Sequence, residues 1–98
     1  MKSIALELAS HSIRVNIINP TNCDTDMIQN RAVRRLFLPD VKDPACEQAA
    51  PIFSTLNALP IPWIEACDVS NALAFLVLDE ARYITGIMLP VDAGFQLL

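Results

Sequence analysis

The sequence predicts an α/β fold built on a parallel sheet, in the order helix, strand, loop with short helices, helix, edge strand. Three observations carry this reading. A helical pattern at residues 1–9 passes through Ser10-His11-Ser12 into the β-forming run Ile13–Ile18, and so short a connection marks half of a parallel α/β unit. A second apolar helix pattern at 66–78 leads through a turn into the run 84–91. Between them, the first strand empties into the polar, proline-punctuated loop Pro20 to Met27, and the carboxyl ends of strands are where open α/β sheets hold ligands.

Each element has a local cause. Met1, Ile4, Ala5 and Leu8 fall at helical spacing, with Lys2, Ser3 and Glu7 opposite. Nothing before Met1 can cap this helix, so it reads as cut rather than begun. Ser10-His11-Ser12 ends it where a left-handed residue, usually Gly, is expected, and Ser12 would cost about 1 kcal/mol there if it takes positive φ. Ile13, Val15 and Ile17 share one face of the first strand, with Arg14, Asn16 and Ile18 on the other. Asp24 or Thr25 can cap a helix running to Phe37. Pro39, Pro44, Pro51, Pro60 and Pro62 then divide the chain into short pieces, with a short helix at 47–56. So long an irregular stretch, 38–65, reads as a lid or binding insertion. The 66–78 helix carries Asp68 in its first turn, where negative charge suits the dipole. Val69, Ala72, Leu73 and Leu76 make one stripe, but Phe75, Val77 and Leu78 extend the apolar surface most of the way round, so this helix needs cover on nearly every side. Pro90 cannot donate to a ladder, which puts the 84–91 strand at a sheet edge or the proline at its end.

Composition narrows the function. Ninety-eight residues allow one modest core. The hydrophobic fraction of 53% and the mean hydropathy of +0.38 point to surfaces that more protein covers. A net charge of −4, with only Arg31, Arg34 and Arg35 clustered, argues against nucleic acid. Three cysteines, Cys23, Cys46 and Cys67, without a C-x-x-C pair argue against a disulfide framework or a metal centre and for a reducing, cytoplasmic setting. No apolar run approaches the about 20 residues that span a bilayer. His11, the only histidine, follows a helix end, where its charge suits the exposed carbonyls, and Asp92 sits where a turn follows a strand.

In order and spacing, Lys2-Ser3-Ile4-Ala5-Leu6-Glu7-Leu8, Ile13-Arg14-Val15-Asn16, the Pro20–Met27 loop, the helix from Asp68 to Leu78, Tyr83-Ile84-Thr85-Gly86 and Val91-Asp92-Ala93-Gly94 resemble the final third of a short-chain dehydrogenase/reductase. Asn19-Pro20-Thr21, where most relatives have Pro-Gly, and the long insertion up to Trp63 resemble the branch that includes carveol-type and mycofactocin-coupled dehydrogenases. The resemblance implies the C-terminal portion of a Rossmann-like, doubly wound parallel sheet, with residues 1–98 a single partial domain and 38–65 a substrate lid within it. It implies that Pro20, Thr21 and Cys23 lie along the nicotinamide of NAD or NADP through backbone contacts, and that Thr25 bonds its carboxamide. Met27, Phe37 and Trp63 would then cover substrate. It further implies a homo-oligomer formed through the 66–78 helix and the 84–91 strand.

The family's remaining machinery has no counterpart here. Its phosphate cradle is a glycine-rich turn at a helix start, whereas this chain has two glycines, Gly86 and Gly94, and neither sits in such a turn. Its general acid/base is a tyrosine with a lysine four residues on. The only tyrosine is Tyr83, Ile87 stands at the lysine position, and Lys2 matches a surface position of the family pattern. No catalytic residue is therefore assigned, and the chain alone is expected to bind no cofactor. Three readings follow: the inactive C-terminal piece of an NAD(P)-dependent alcohol or ketone oxidoreductase, a non-catalytic self-association module, or a truncated reading frame. A sheet reduced to two strands would be marginally stable.

Overall fold

The amphipathic pattern at the start of the chain folds as helix α1 (Lys2–Ala9) in the computed structural model, which describes residues 1–98. α1 closes as the sequence demands. Ser12 takes φ 58°, with Ser12 N–H bonded to Ala9 O at 3.0 Å and Ile13 N–H to Leu8 O at 3.3 Å. This pair of bonds is the Schellman arrangement, which satisfies carbonyls the helix end leaves open.

The chain forms two compact units, Met1–Pro20 with Cys67–Val91, and Thr21–Ala66 with Asp92–Leu98. In the first, strands β1 (Ile17–Pro20) and β2 (Met88–Val91) pair in parallel, from Ile17 opposite Met88 to Pro20 opposite Val91. Both strands are shorter than the predicted 13–18 and 84–91 runs. Upstream, one main-chain bond, Gly86 N–H to Val15 O at 2.8 Å, is interleaved with side-chain bonds that interrupt the ladder. Thr85 Oγ1 accepts from Val15 N–H, Asn16 Oδ1 accepts from Ile87 N–H, and Asn16 Nδ2 donates to Ile84 O. Pro90 lies inside β2 opposite Asn19. With Ile17 N–H bonded to Ile87 O, the alternation of a parallel ladder turns the nitrogen of Pro90 to the open edge, where its missing proton costs nothing.

Helix α4 (Ala66–Val77) occupies nearly the predicted span. Of its residues only Leu76 is buried, while Leu73, Phe75 and Val77 stay exposed, as does Leu78 beyond its end. A 3-10 turn, Asp79–Ala81, buries Ala81 completely and leads toward β2. Gly86 sits at φ 75°, a conformation that suits glycine, and a Cβ there would meet Ala5 Cβ at an ordinary 3.8 Å.

The second unit holds the better core. Helix α2 (Arg31–Phe37) starts later than predicted, because residues 24–29 turn on themselves and Asn30, not Asp24 or Thr25, is the cap: its side chain accepts from Val33 N–H at 2.9 Å. Helix α3 (Cys46–Ser54), displaced slightly from the predicted 47–56, is braced at its start by Gln48 Oε1 accepting from Ala45 N–H at 2.8 Å. Phe53, 1% exposed, is the hub: Phe37 packs on its ring at 4.6 Å and Trp63 meets it edge-on at 5.7 Å. Pro44, Ala49 and Ile64 are buried in the same unit. The C-terminal segment turns at Asp92, whose carboxylate accepts from Gly94 and Gln96 N–H, and closes with the 3-10 turn Phe95–Leu97.

Candidate functional site

The loop that leaves β1 is the candidate site, and its residues are held by bonds distant in sequence. Pro20, exposed, is the last residue of β1. In the second unit Thr21 Oγ1 donates to Asn57 Oδ1 at 2.9 Å, and Asn57 Nδ2 donates to Ile61 O at 2.8 Å and to Pro62 O at 3.4 Å. Ile64 N–H donates to Asn22 O at 3.0 Å and Asp24 N–H to Ile64 O at 2.8 Å, so that Cys23 and Ile64 form an isolated parallel bridge. Residues 21–24 are thereby a pinned segment.

Beyond the bridge the loop is open. Thr25 N–H bonds to Cys23 O at 2.7 Å, and the Thr25 hydroxyl is exposed with only a long 3.4 Å contact to the same carbonyl. Thr25 O accepts from Ile28 and Gln29 N–H, the turn that delays α2. Gln29 links outward, donating to Asp24 Oδ1 at 2.9 Å and accepting from Arg34 Nη2 at 3.4 Å. Of the residues expected over substrate, Met27 is 82% exposed, while Phe37 and Trp63 both lie against Phe53 in the aromatic cluster. Both remain partly exposed.

Two other residues with chemical potential, Tyr83 and His11, belong to the first unit. Tyr83, in the first unit, is 87% exposed, with the Arg82 guanidinium 5.0 Å from its ring centre. His11 is exposed at the end of α1. No group of three His, Cys, Asp or Glu side chains gathers as a metal site, and none of the cysteines forms a disulfide. No helix is long and apolar enough to cross a membrane. Sequence reasoning passed over Asn57. The available signal was a lone amide between Leu56 and Ala58, ahead of Pro60 and Pro62.

The parallel pairing of β1 and β2 fits a doubly wound α/β fold, and the comparisons with known proteins agree on that fold. The family adh_short_C2, described as Enoyl-(Acyl carrier protein) reductase, matches residues 1–96. The chain belongs to the short-chain dehydrogenase/reductase family and corresponds to a C-terminal part of its Rossmann-type fold. Within that family it is carveol dehydrogenase-like. It is 56% identical over 97 residues to a (-)-trans-carveol dehydrogenase of Rhodococcus erythropolis, covering 99% of this chain and 35% of that protein. A putative short-chain type dehydrogenase/reductase of Mycolicibacterium smegmatis is 44% identical over 97 residues, with 99% of this chain and 35% of the relative covered. The crystal structure of carveol dehydrogenase from Mycobacterium avium in complex with NAD superposes with a TM-score of 0.98 at 48% identity, covering 100% of this chain and 35% of that one. The chain thus spans about a third of the length of the relatives it matches.

Proposed function

We propose that this chain is the nicotinamide-side portion of an NAD(P)-dependent oxidoreductase that acts on a small apolar or terpenoid alcohol and its ketone, and that alone it neither turns over substrate nor binds the dinucleotide. The observation that carries this reading is the pinned loop after β1 in a chain so similar to a carveol dehydrogenase crystallised with NAD. Pro20, Thr21 and Cys23 offer main-chain edges along the nicotinamide. Thr25, whose exposed hydroxyl is only weakly engaged, bonds the carboxamide. Met27, Phe37 and Trp63 cover the substrate, Phe37 and Trp63 through the parts of their rings that packing on Phe53 leaves exposed.

These residues fit the nicotinamide end of a dinucleotide and not its pyrophosphate. Gly86 lies against Ala5 and Gly94 against Ala58, so neither glycine opens a phosphate cradle at a helix start. When bound, the dinucleotide supplies the hydride acceptor. This chain's own share is orientation, and the proton-transfer pair must come from elsewhere in a complete enzyme. The same reading places the protein in the cytoplasm and makes it a homo-oligomer through α4 and the 84–91 segment. The exposed Leu73, Phe75, Val77 and Met88 also favour a second reading, a self-association module. Size-exclusion across a concentration series tests it, and a single monomeric peak throughout would remove it.

The direct test of the enzymatic reading joins residues 1–98 behind the N-terminal two-thirds of the Rhodococcus erythropolis relative. The fusion is expected to oxidise carveol with NAD, while the chain alone shows neither turnover nor saturable NADH binding. A folded fusion without turnover would refute the assignment.

A further inference from the structure

We propose that Asn57 is a positioning residue for the cofactor loop, an inference that rests on the reading just given. Asn57 is 6% exposed, and its amide is engaged at both ends in one orientation. Two carbonyls, Ile61 O and Pro62 O, face Nδ2, and a flipped amide would set its oxygen against them, so Oδ1 faces Thr21. Pro60 and Pro62 have no N–H, which leaves the 60–62 segment short of internal donors and dependent on this side chain. At that burial water cannot readily replace a lost partner.

The consequence for the loop follows from Thr21. Its hydroxyl is committed to Asn57, which locks a β-branched side chain in one rotamer and leaves only the Thr21 main chain to meet a ligand. The two bonds between Asn22, Asp24 and Ile64 extend the clamp, so the 21–24 loop is tied to the 57–64 segment at three points. That segment is itself fixed from the C-terminus. Leu59 N–H bonds to Ala93 O at 2.9 Å, and Gly94 approaches so closely that a Cβ there would lie 2.5 Å from Ala58 Cβ. Asn57 therefore transmits a rigid frame to the loop that sets where the nicotinamide sits. A displacement near 1 Å can cost about 100-fold in rate, so loss of this tie acts on the chemical step more than on affinity.

Two measurements test the assignment, with Asn57→Ala and the milder Thr21→Val, which keeps the shape and removes the hydroxyl. In the 98-residue chain, amide hydrogen exchange at Asp24 and Ile64 is expected to quicken by at least about tenfold in either variant, with the Ile17 amide unchanged. Unaltered exchange at Asp24 and Ile64, or equal loosening at Ile17, overturns the proposal whether or not the enzymatic reading holds. In the fusion enzyme, both variants are expected to lower kcat by about 10- to 100-fold with the dinucleotide KM within about twofold, and the primary deuterium isotope effect on kcat is expected to rise as hydride transfer becomes limiting. A fall in rate with an unchanged isotope effect means only less folded enzyme and overturns the positioning role. An inactive unsubstituted fusion refutes the enzymatic reading, and the exchange data then still decide whether Asn57 holds the loop.

Discussion

The two units of this chain spend apolar residues in opposite ways. In the second, Phe53 is enclosed by Phe37 and Trp63, with Pro44, Ala49 and Ile64 buried in the same unit, whereas the first encloses little more than Ala5, Leu76 and Ala81 and leaves much of α4 exposed. Each unit accordingly finds its stability in a different place. A side chain as large as phenylalanine, fully buried, contributes several times what a buried alanine does. The insertion thus supports itself, while the two-stranded sheet presents the surfaces of a layer that in a complete doubly wound fold would be covered.

This contrast can be broken or sharpened by substitution. Phe53→Ala should destabilise the second unit by about 3–5 kcal/mol, read as an early red shift of Trp63 fluorescence in urea. A loss below about 1 kcal/mol would mean that the aromatic cluster is not the core it resembles. Gly94→Ala should cost about 2 kcal/mol, since φ is 80° and the new methyl collides with Ala58. Adding Ala58→Gly should recover the steric share and leave the backbone share, visible as a partial return of the urea midpoint. Asn30→Ala should cost about 1 kcal/mol through the lost α2 cap, measured the same way.

The first unit should respond weakly or in the opposite sense. Ser12→Gly removes the strain of a non-glycine residue at φ 58° and should stabilise by up to about 1 kcal/mol, seen as a higher thermal midpoint by circular dichroism. Leu73→Gln should change stability by less than about 0.5 kcal/mol in dilute solution, because Leu73 is 54% exposed. A large loss there would show that α4 is already covered at low concentration.

The alternation of apolar and polar faces made α1 legible almost to the residue, and α4 was legible from a long apolar stretch that opens with Asp68 in its first turn. The closure of α1 was legible too, since a helix ending directly before a β-forming run needs a left-handed residue and Ser12 was the one available. The strands were overestimated at their starts, where Asn16 and Thr85 side chains replace ladder bonds, a substitution that β-propensity does not register. Asp24 and Thr25 suggested a cap by residue type, but the turn closed by the Ile28 and Gln29 amides delays the helix to Asn30. The loop after β1 could be read from strand, proline and family likeness together. Its brace could not, because the Thr21–Asn57 bond joins residues 36 apart, and no local pattern announces a partner at that separation.

We have proposed that this chain supplies a nicotinamide loop and that phosphate grip and proton transfer come from elsewhere in a complete enzyme. Fluorescence titration with NADH, run in parallel on the 98-residue chain and on its fusion to the N-terminal two-thirds of the Rhodococcus erythropolis relative, tests it most directly. The account predicts saturable binding by the fusion and none by the chain alone. Micromolar binding by the chain alone would contradict it.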